Sequence, residues 1–312
     1  MESGELRKKI KIFSPATVAN VACGFDVLGF ALNSPGDEVS IELNNLGKIV
    51  LADETPYGLP LAPEKNVTAV ALQAMLDALQ SKQGFNITFL SKIMPGSGVG
   101  SSAASSAAGV FGANELLKRP FTRKDLVQFA MQGEKVASGS AHADNVAPAL
   151  MGGFTLVRSY TPLDVIPIPS PEIFATVVHP QIEVRTSDSR KILRQDVPIR
   201  KAVEQWGNVA GLVAGLFTND YELIGRSLHD VIVEPVRALL IPEFYNIKQA
   251  ALDAGALGCS ISGSGPSIFA LSKNEKIAQK VAQAMQNGFN RVGIENHVFV
   301  SPINKEGVRI AE

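Results

Sequence analysis

Polar and apolar positions alternate along residues 9–13, 37–43 and 85–93, the period of strands with one covered face. Ser14-Pro15 reads as the end of the first strand, and Ser34-Pro35-Gly36-Asp37 as a turn before the second. Residues 47–65 carry Pro56, Pro60 and Pro63 and read as loop. From Asn66 the period becomes helical, with Val67, Val70, Ala71, Ala74, Ala78 and Leu79 on one face and Asn66 as N-cap. A serine N-cap and a run of small residues predict a helix from about 101 to 117, and Thr122 caps another through Lys135. Gly152-Gly153 leads into a strand at 154–158.

Pro162, Pro167, Pro169 and Pro171 then mark a boundary, giving an N-terminal domain at 1–160 and a C-terminal one at 161–312. Beyond it a strand is expected at 173–178 and helices at 186–194, 202–217, 221–228 and 242–254. GCSISGSGPS, residues 258–267, joins two apolar runs as a hairpin, followed by an amphipathic helix at 275–289 and a strand at 297–300. Strands and helices mix without the rhythm of a doubly wound sheet, so the class is α+β, the second half resembling a ferredoxin-like split βαβ layer.

The stretch at 95–104, PGSGVGSSAA, organises the rest. Gly96, Gly98 and Gly100 permit positive φ and close approach, and a helix start beyond them leaves several N–H groups aimed at one spot. No lysine follows the glycines, so the stretch is not a Walker loop. Gly98, Gly100 and Ala103 fit the dinucleotide pattern G-x-G-x-x-A, but Lys118 stands where its acid belongs. By itself the loop fits a phosphate cradle or a plain Gly/Ser turn before a closely packed helix. Asn20 and Asp26 stand out in the apolar segment 14–32, and His142, Asp144 and Asn145 cluster near the end of the first half. Either of the first two alone fits a turn or cap, and together they fit a binding role equally well.

Composition removes several classes. The 312 residues are 46% apolar and 19% charged with a net charge of −1, which carries no footprint for nucleic acid or an anionic membrane. Cys23 and Cys259 are too few for a disulfide framework or a metal-binding cysteine set, and fit a reducing, cytoplasmic setting. The first thirteen residues are charged and lack a signal peptide's apolar core, and no apolar run approaches a membrane span.

Taken together, three stretches resemble the motifs of the GHMP small-molecule kinases, most closely their homoserine kinase branch. Residues 14–32, SPATVANVACGFDVLGFAL, match the first motif; 95–103, PGSGVGSSA, match the second from its glycines onward, G-[LV]-G-S-S-A, with the proline three residues before the first of them; and 258–271, GCSISGSGPSIFAL, match the third. The resemblance implies a two-domain fold and transfer of the ATP γ-phosphate to the hydroxyl of L-homoserine, in threonine biosynthesis, with a homodimer as the family's habit. It places ATP on Asn66, Pro95, Gly96, Ser97, Gly98, Val99, Gly100, Ser101, Ser102 and Ala103, with Asn66 near the adenine, and Mg²⁺ on Ser102 and Glu134. Arg190 and Arg237 match the clamp for the amino acid's carboxylate and Asp26 the acceptor for its ammonium, as a zwitterion requires. Asn20 and Asn145 match groups around the reacting hydroxyl, and Thr186 and His142 line the same pocket. Asn145 occupies the place where related kinases carry an aspartate base, with Asp144 one residue earlier; an amide cannot accept the proton, so Asn145 is read as orienting the hydroxyl and Asp144 as the rival base. Another small alcohol such as mevalonate or a sugar, or a dinucleotide-dependent oxidoreductase, are the competing readings.

Overall fold

The computed structural model describes residues 8–311. Alternation at the start of the chain does what the pattern predicts: in β1 (Lys9–Ala19), Ile10 and Ile12 are buried and Lys9 is exposed. The strand does not stop at Ser14-Pro15, however. It continues through a register shift between Pro15 and Thr17, an irregularity that tolerates a residue with no N–H. Its partner β2 (Leu28–Asn44) likewise runs through Ser34, Pro35 and Gly36, because Gly36 pairs with Pro15 and lies under the Phe13 ring.

β2 is long enough to serve two neighbours on one side. Its first residues pair with β5 (Phe154–Tyr160), and its second half with β4 (Gly84–Ser91). β3 (Ile49–Asp53) pairs with β4 in parallel, β6 (Leu163–Ile168) pairs with β5, and β11 (Arg309–Ala311) returns to β1. The first sheet thus reaches Ile168 and regains the chain's end, so a division after residue 160 falls inside the β5–β6 hairpin. β3 was hidden in the proline-rich stretch read as loop.

α1 (Val67–Ala78), α2 (Ser101–Leu116), α3 (Arg123–Ser138) and α4 (Val146–Met151) make the helical layer of this half. α2 is buried on every side, 14 of its 16 residues, which explains its lack of an amphipathic stripe. A β-carbon on Gly112 would lie 2.4 Å from Ile41 Cδ1, so small residues are what let the helix sit this close to the sheet.

The second half holds β7 (Phe174–Pro180), α5 (Thr186–Lys191), α6 (Ile199–Thr218), α7 (Tyr221–Ser227), α8 (Glu234–Arg237) and α9 (Phe244–Asp253). It continues with β8 (Gly258–Ile261), β9 (Ile268–Ser272), α10 (Glu275–Asn290) and β10 (Asn296–Pro302). Its strands run antiparallel in the order β10-β7-β9-β8, the ferredoxin-like arrangement expected. A shared core joins the halves: Val18, Phe30, Val99 and Phe154 pack with Val177, Leu212, Phe269 and Leu271. The Phe30 ring lies 5.0 Å from Phe154 and 5.8 Å from Phe269.

Phe269→Ala is therefore expected to cost about 3–5 kcal/mol and to loosen both halves together. Hydrogen exchange of β1 and β9 amides tests this; protection lost only in the second sheet would show that the core is not shared.

Candidate active site

The glycine loop spans the gap between β4 and α2. Gly96, Gly98 and Gly100 have φ of 77°, 77° and 68°, a left-handed conformation that L side chains resist. Two of them also meet backbone or side chains at close range. A β-carbon on Gly98 would lie 2.7 Å from Gly265 O, and one on Gly100 would lie 2.0 Å from Thr17 Oγ1 and 3.0 Å from Asn145 Oδ1.

The residue in the N-cap position of α2 is Gly100, not a serine, and it offers no side-chain cap. Ser101 is already helical and its Oγ donates to Ile93 O at 2.8 Å. The first turn's amides are thus left uncapped, at the positive end of the helix, where Gly100, Ser101 and Ser102 line a cavity of about 410 Å³.

The loop's carbonyls are taken by the protein. Ser262 Oγ donates to Gly98 O at 2.7 Å, Thr17 N to Val99 O at 3.1 Å, and Ser267 Oγ to Ser97 O. His179 Nδ1 lies 3.1 Å from the same Ser267 hydroxyl. Pro95, Gly96, Gly98, Gly100, Ser101 and Ser102 face the cavity. The side chains of Ser97, Val99 and Ala103 do not: all three are buried, Val99 and Ala103 among core residues, so their part in a phosphate site is the backbone path they set.

A lysine does serve this end of the cavity, from the other side of the glycines. Lys92 is only 5% exposed, and its Nζ donates to Asp37 Oδ2 (3.0 Å), Ser101 O (3.0 Å) and Ser105 Oγ (2.6 Å). Asp37 Oδ1 accepts from Ile93 N at 2.8 Å, fixing the chain just before the loop. Nearby, Glu134 on α3 is buried and its carboxyl is pushed up to about 7, chiefly by loss of water; a hydrogen bond from Ser102 and the charge of Lys92 pull the other way. A hydroxyl and a buried carboxylate sharing a hydrogen bond are hard oxygen donors of the kind Mg²⁺ takes, and it usually takes one or two from protein. No group of three or more His, Cys, Asp or Glu able to hold a metal occurs among the described residues.

At the other end of the cavity, a tight turn carries Asn20, Val21, Ala22 and Asp26 at positive φ. Asn20 holds it: Oδ1 accepts from Asp26 N at 3.0 Å and Nδ2 donates to Gly263 O at 2.7 Å. The Asp26 carboxylate receives both terminal nitrogens of Arg190, at 2.8 and 3.2 Å, and lies 3.7 Å from His142 Nε2. Arg190 and Arg237 both sit over the Phe25 ring, at 5.6 and 5.0 Å. Arg237 is buried and donates to Ser189 O (3.2 Å) and Gly263 O (2.9 Å). Burial, then the neighbouring Arg190, brings its pKa down to about 10, which leaves it cationic at neutral pH. His142 is also held below its ordinary value, by burial first, with Asp26 opposing. Thr186 Oγ1 meets Ser264 Oγ at 3.1 Å.

Asn145 and Asp144 belong to the same cavity. Asn145 Oδ1 accepts from Thr17 Oγ1 at 2.8 Å, which leaves its Nδ2 to donate elsewhere. Asp144 is buried, and its carboxyl is pushed up to about 7 by lost hydration, then by the charges of Asp26 and Glu134. Asn66 lines the cavity too, but its Oδ1 caps α1 by accepting from Thr68 N and Ala69 N, and its Nδ2 donates to Pro60 O.

Every side chain expected at the substrate end is thus brought into one cavity with the glycine loop. Three supporting residues were not foreseen. Lys92 precedes the loop instead of following it, Thr17 looked like one more residue of an apolar segment, and Tyr160 stands at the far end of β5. The Tyr160 hydroxyl donates to Asp26 O at 2.9 Å and accepts from Ala143 N at 3.3 Å, tying the two site segments together. α8, which carries Arg237, is fixed by buried carboxylates. Asp230 accepts from the amides of Ile232, Val233 and Glu234, and Glu234 accepts from Lys248 and Ser260, each at 2.6 Å.

Comparison with known proteins agrees with this geometry. The family description GHMP kinases N terminal domain matches residues 66–153, and GHMP kinases C terminal matches 212–291. A homoserine kinase of Chlorobium phaeobacteroides is 49% identical over 318 aligned positions, covering 97% of this chain and 99% of that protein. One from Methanococcus vannielii is 42% identical and covers 86% and 90%. The crystal structure of homoserine kinase from Cytophaga hutchinsonii superposes over the whole of both chains with a TM-score of 0.95 at 53% identity. That of L. major mevalonate kinase in complex with R-mevalonate shares the fold, with a TM-score of 0.72 at 18% identity over 97% of this chain and 99% of that one. Relatives this similar over almost the full length show that the chain belongs to the GHMP kinase family, among its homoserine kinases.

Proposed function

We propose that this chain phosphorylates the hydroxyl of L-homoserine from ATP, giving O-phospho-L-homoserine for threonine biosynthesis. One observation carries the reading. A single cavity holds an uncapped helix N-terminus behind three left-handed glycines and, with it, an Asp26–Arg190–Arg237 frame suited to a zwitterion.

Phosphoryl transfer needs positioning and charge compensation more than covalent chemistry. The free amides of the 96–102 stretch supply positive potential for the phosphates, Lys92 holds the start of α2 through Ser101 O and Ser105 Oγ, and the segment lined by Pro60 and Asn66 receives the adenine. Ser102 and Glu134 are the residues that would hold Mg²⁺, and the ion would supply charge neutralisation for the phosphates. At the acceptor end, Arg190 and Asp26 hold each other, so an amino acid exchanges one ion pair for two. Its carboxylate goes to Arg190 and Arg237 and its ammonium to Asp26. Asn20 and Tyr160 keep the Asp26 turn in place, while Thr186 and His142 close the pocket around the carbon chain.

Asn145 donates through Nδ2 to the acceptor oxygen and fixes its line of approach, its Oδ1 being held by Thr17. The amide takes no proton; the hydroxyl proton passes late to an oxygen of the phosphoryl group being transferred, once a loose transition state has begun to form the new P–O bond and to break the bond to ADP. A second reading is favoured by one feature of Asp144: a buried carboxyl raised to about 7 within the cavity is what a general base at neutral pH requires.

The working setting follows the same resemblance: a homodimer in the reducing cytoplasm, with no need of nucleic acid or a membrane surface. Both cysteines are free and buried, and no helix among the described residues is long and apolar enough to cross a membrane.

ADP release with Mg-ATP is expected with homoserine and absent with mevalonate, galactose or shikimate; release with none of the four would remove the kinase reading. Arg237→Lys should raise KM for homoserine roughly 10- to 100-fold, the loss of a charge-assisted fork, with KM for ATP unchanged within about twofold. Asp144→Asn separates the two proton readings: orientation by Asn145 predicts a kcat loss below about tenfold, and a base role predicts a loss of 10²-fold or more. The same variant has a stability signature. Because the folded-state pKa of Asp144 lies above its ordinary 3.8, the native state binds a proton that the unfolded chain releases, and stability falls as pH rises from about 4 to about 7. Asp144→Asn should therefore melt higher than the parent at pH 8, with the difference vanishing near pH 4.

A further inference from the structure

The buried face of α6 carries Leu212 and Leu216, and seven residues before Leu212, on the same face, it carries Gln205. A polar amide at a core position is costly unless its donors and its acceptor are met. Here they are. Gln205 Nε2 donates to Cys23 O at 2.8 Å and to Asp230 Oδ1 at 3.0 Å, and Oε1 accepts from Val231 N at 3.0 Å. The partners fix which way the amide points, because Val231 N–H only donates while a carbonyl and a carboxylate only accept. Two donors and an acceptor at one point is a set that a carboxamide answers. A carboxylate brings no donor, an ammonium no acceptor and a hydroxyl only one donor.

The three partners belong to the two segments that carry the acceptor-end charges. Cys23 lies in the turn that holds Asn20, Val21, Ala22 and Asp26 at positive φ. Asp230 and Val231 lie just before α8, whose last residue is Arg237, and Asp230 accepts from the amides of Val233 and Glu234 at the start of that helix. Asn208, three residues further along α6, donates to His229 O at 2.9 Å, so α6 holds this stretch at two points. The two segments also converge on Gly263 O, which accepts from Asn20 Nδ2 and from Arg237. Gln205 is the second brace between them, and it comes from a helix outside the cavity lining.

We propose that Gln205 is a positioning residue for the amino-acid substrate, setting the separation of Asp26 from Arg237 and with it the spacing of ammonium and carboxylate that the pocket takes. The proposal rests on the homoserine reading above for the identity of that substrate. Gln205 acts through Cys23 O on one side and through Asp230 and Val231 on the other. Removing its amide leaves a carbonyl and an N–H without this partner in a buried place, and the two segments shift to find others. The glycine loop is braced separately, by Thr17, Ser262 and Ser267, so the effect falls on one substrate and not on both.

Gln205→Met, close in volume and without the amide, tests this. KM for homoserine, and its Kd by calorimetry without nucleotide, are expected to rise about tenfold or more, as displacement of positioned groups demands. KM for ATP should stay within about twofold of the parent value. Gln205→Asn, which keeps the amide and shortens its reach by one methylene, is the milder second variant and should move the same constants in the same direction. Leu212→Ala loosens the same helix face without touching the brace. It is expected to melt lower and to leave KM for homoserine in place. Loss of folded protein alone lowers the apparent kcat and moves neither KM, which separates positioning from stability. An unchanged KM for homoserine in both Gln205 variants, an equal rise in KM for ATP, or an equal rise in Leu212→Ala overturns the proposal alone. A parent chain that neither binds nor phosphorylates homoserine overturns the substrate reading, and the proposal with it.

Discussion

Three hydrogen bonds decide what the glycine loop is able to do. A stretch of backbone has as many acceptors as donors, and it attracts an anion only where the acceptors are turned away. Thr17, Ser262 and Ser267 take the carbonyls of Val99, Gly98 and Ser97. Apart from Ser97 N, which donates to Met94 O at 3.3 Å, the loop's N–H groups are then the donors left for an anion. Two of those three partners come from the β8–β9 hairpin, so the second half of the chain completes the electrostatics of a site whose glycines lie in the first. The left-handed φ of Gly98 and Gly100 and their tight clearances follow from this docking.

The acceptor end solves the opposite problem. Two arginines within reach of the same ring, one of them buried, would repel each other without an anion. Asp26 supplies it, with both of its oxygens on Arg190. That carboxylate offsets one of the two cations, and on the proposed reading it is also the group that suits an ammonium, so that vacating the arginine and receiving the ligand would be one event. Arg237 has no such partner and relies on carbonyls, Ser189 O and Gly263 O, which stabilise a cation without neutralising it.

Much of this was legible along the chain. The N-caps of α1 and α3, Asn66 and Thr122, were visible because capping is local, within three residues. The left-handed glycines were visible because few other residues adopt that backbone. The side chains grouped by motif resemblance do meet in one cavity. What could not be read is contact between residues far apart in sequence. Thr17 and Asn145 are separated by 128 positions and Asp26 and Tyr160 by 134, and neither pair leaves a local trace. β3, β6 and β11 escaped for a related reason: they are three to six residues long, and they are strands because a neighbour's edge is there to receive them. Lys92 precedes the glycines, and its partners Asp37 and Ser105 lie 55 and 13 positions away, so its place beside the loop leaves no local trace either.

The aromatic trio of Phe30, Phe154 and Phe269 has an implication for recombination among relatives. Ring packing across the junction makes the halves poor interchangeable parts. A chimaera that joins this N-terminal half to another kinase's C-terminal half must import matching partners for Phe30 and for the Gly98 and Ser97 carbonyls, or it will inherit a gap at the crossing and a loop with its acceptors unpaired.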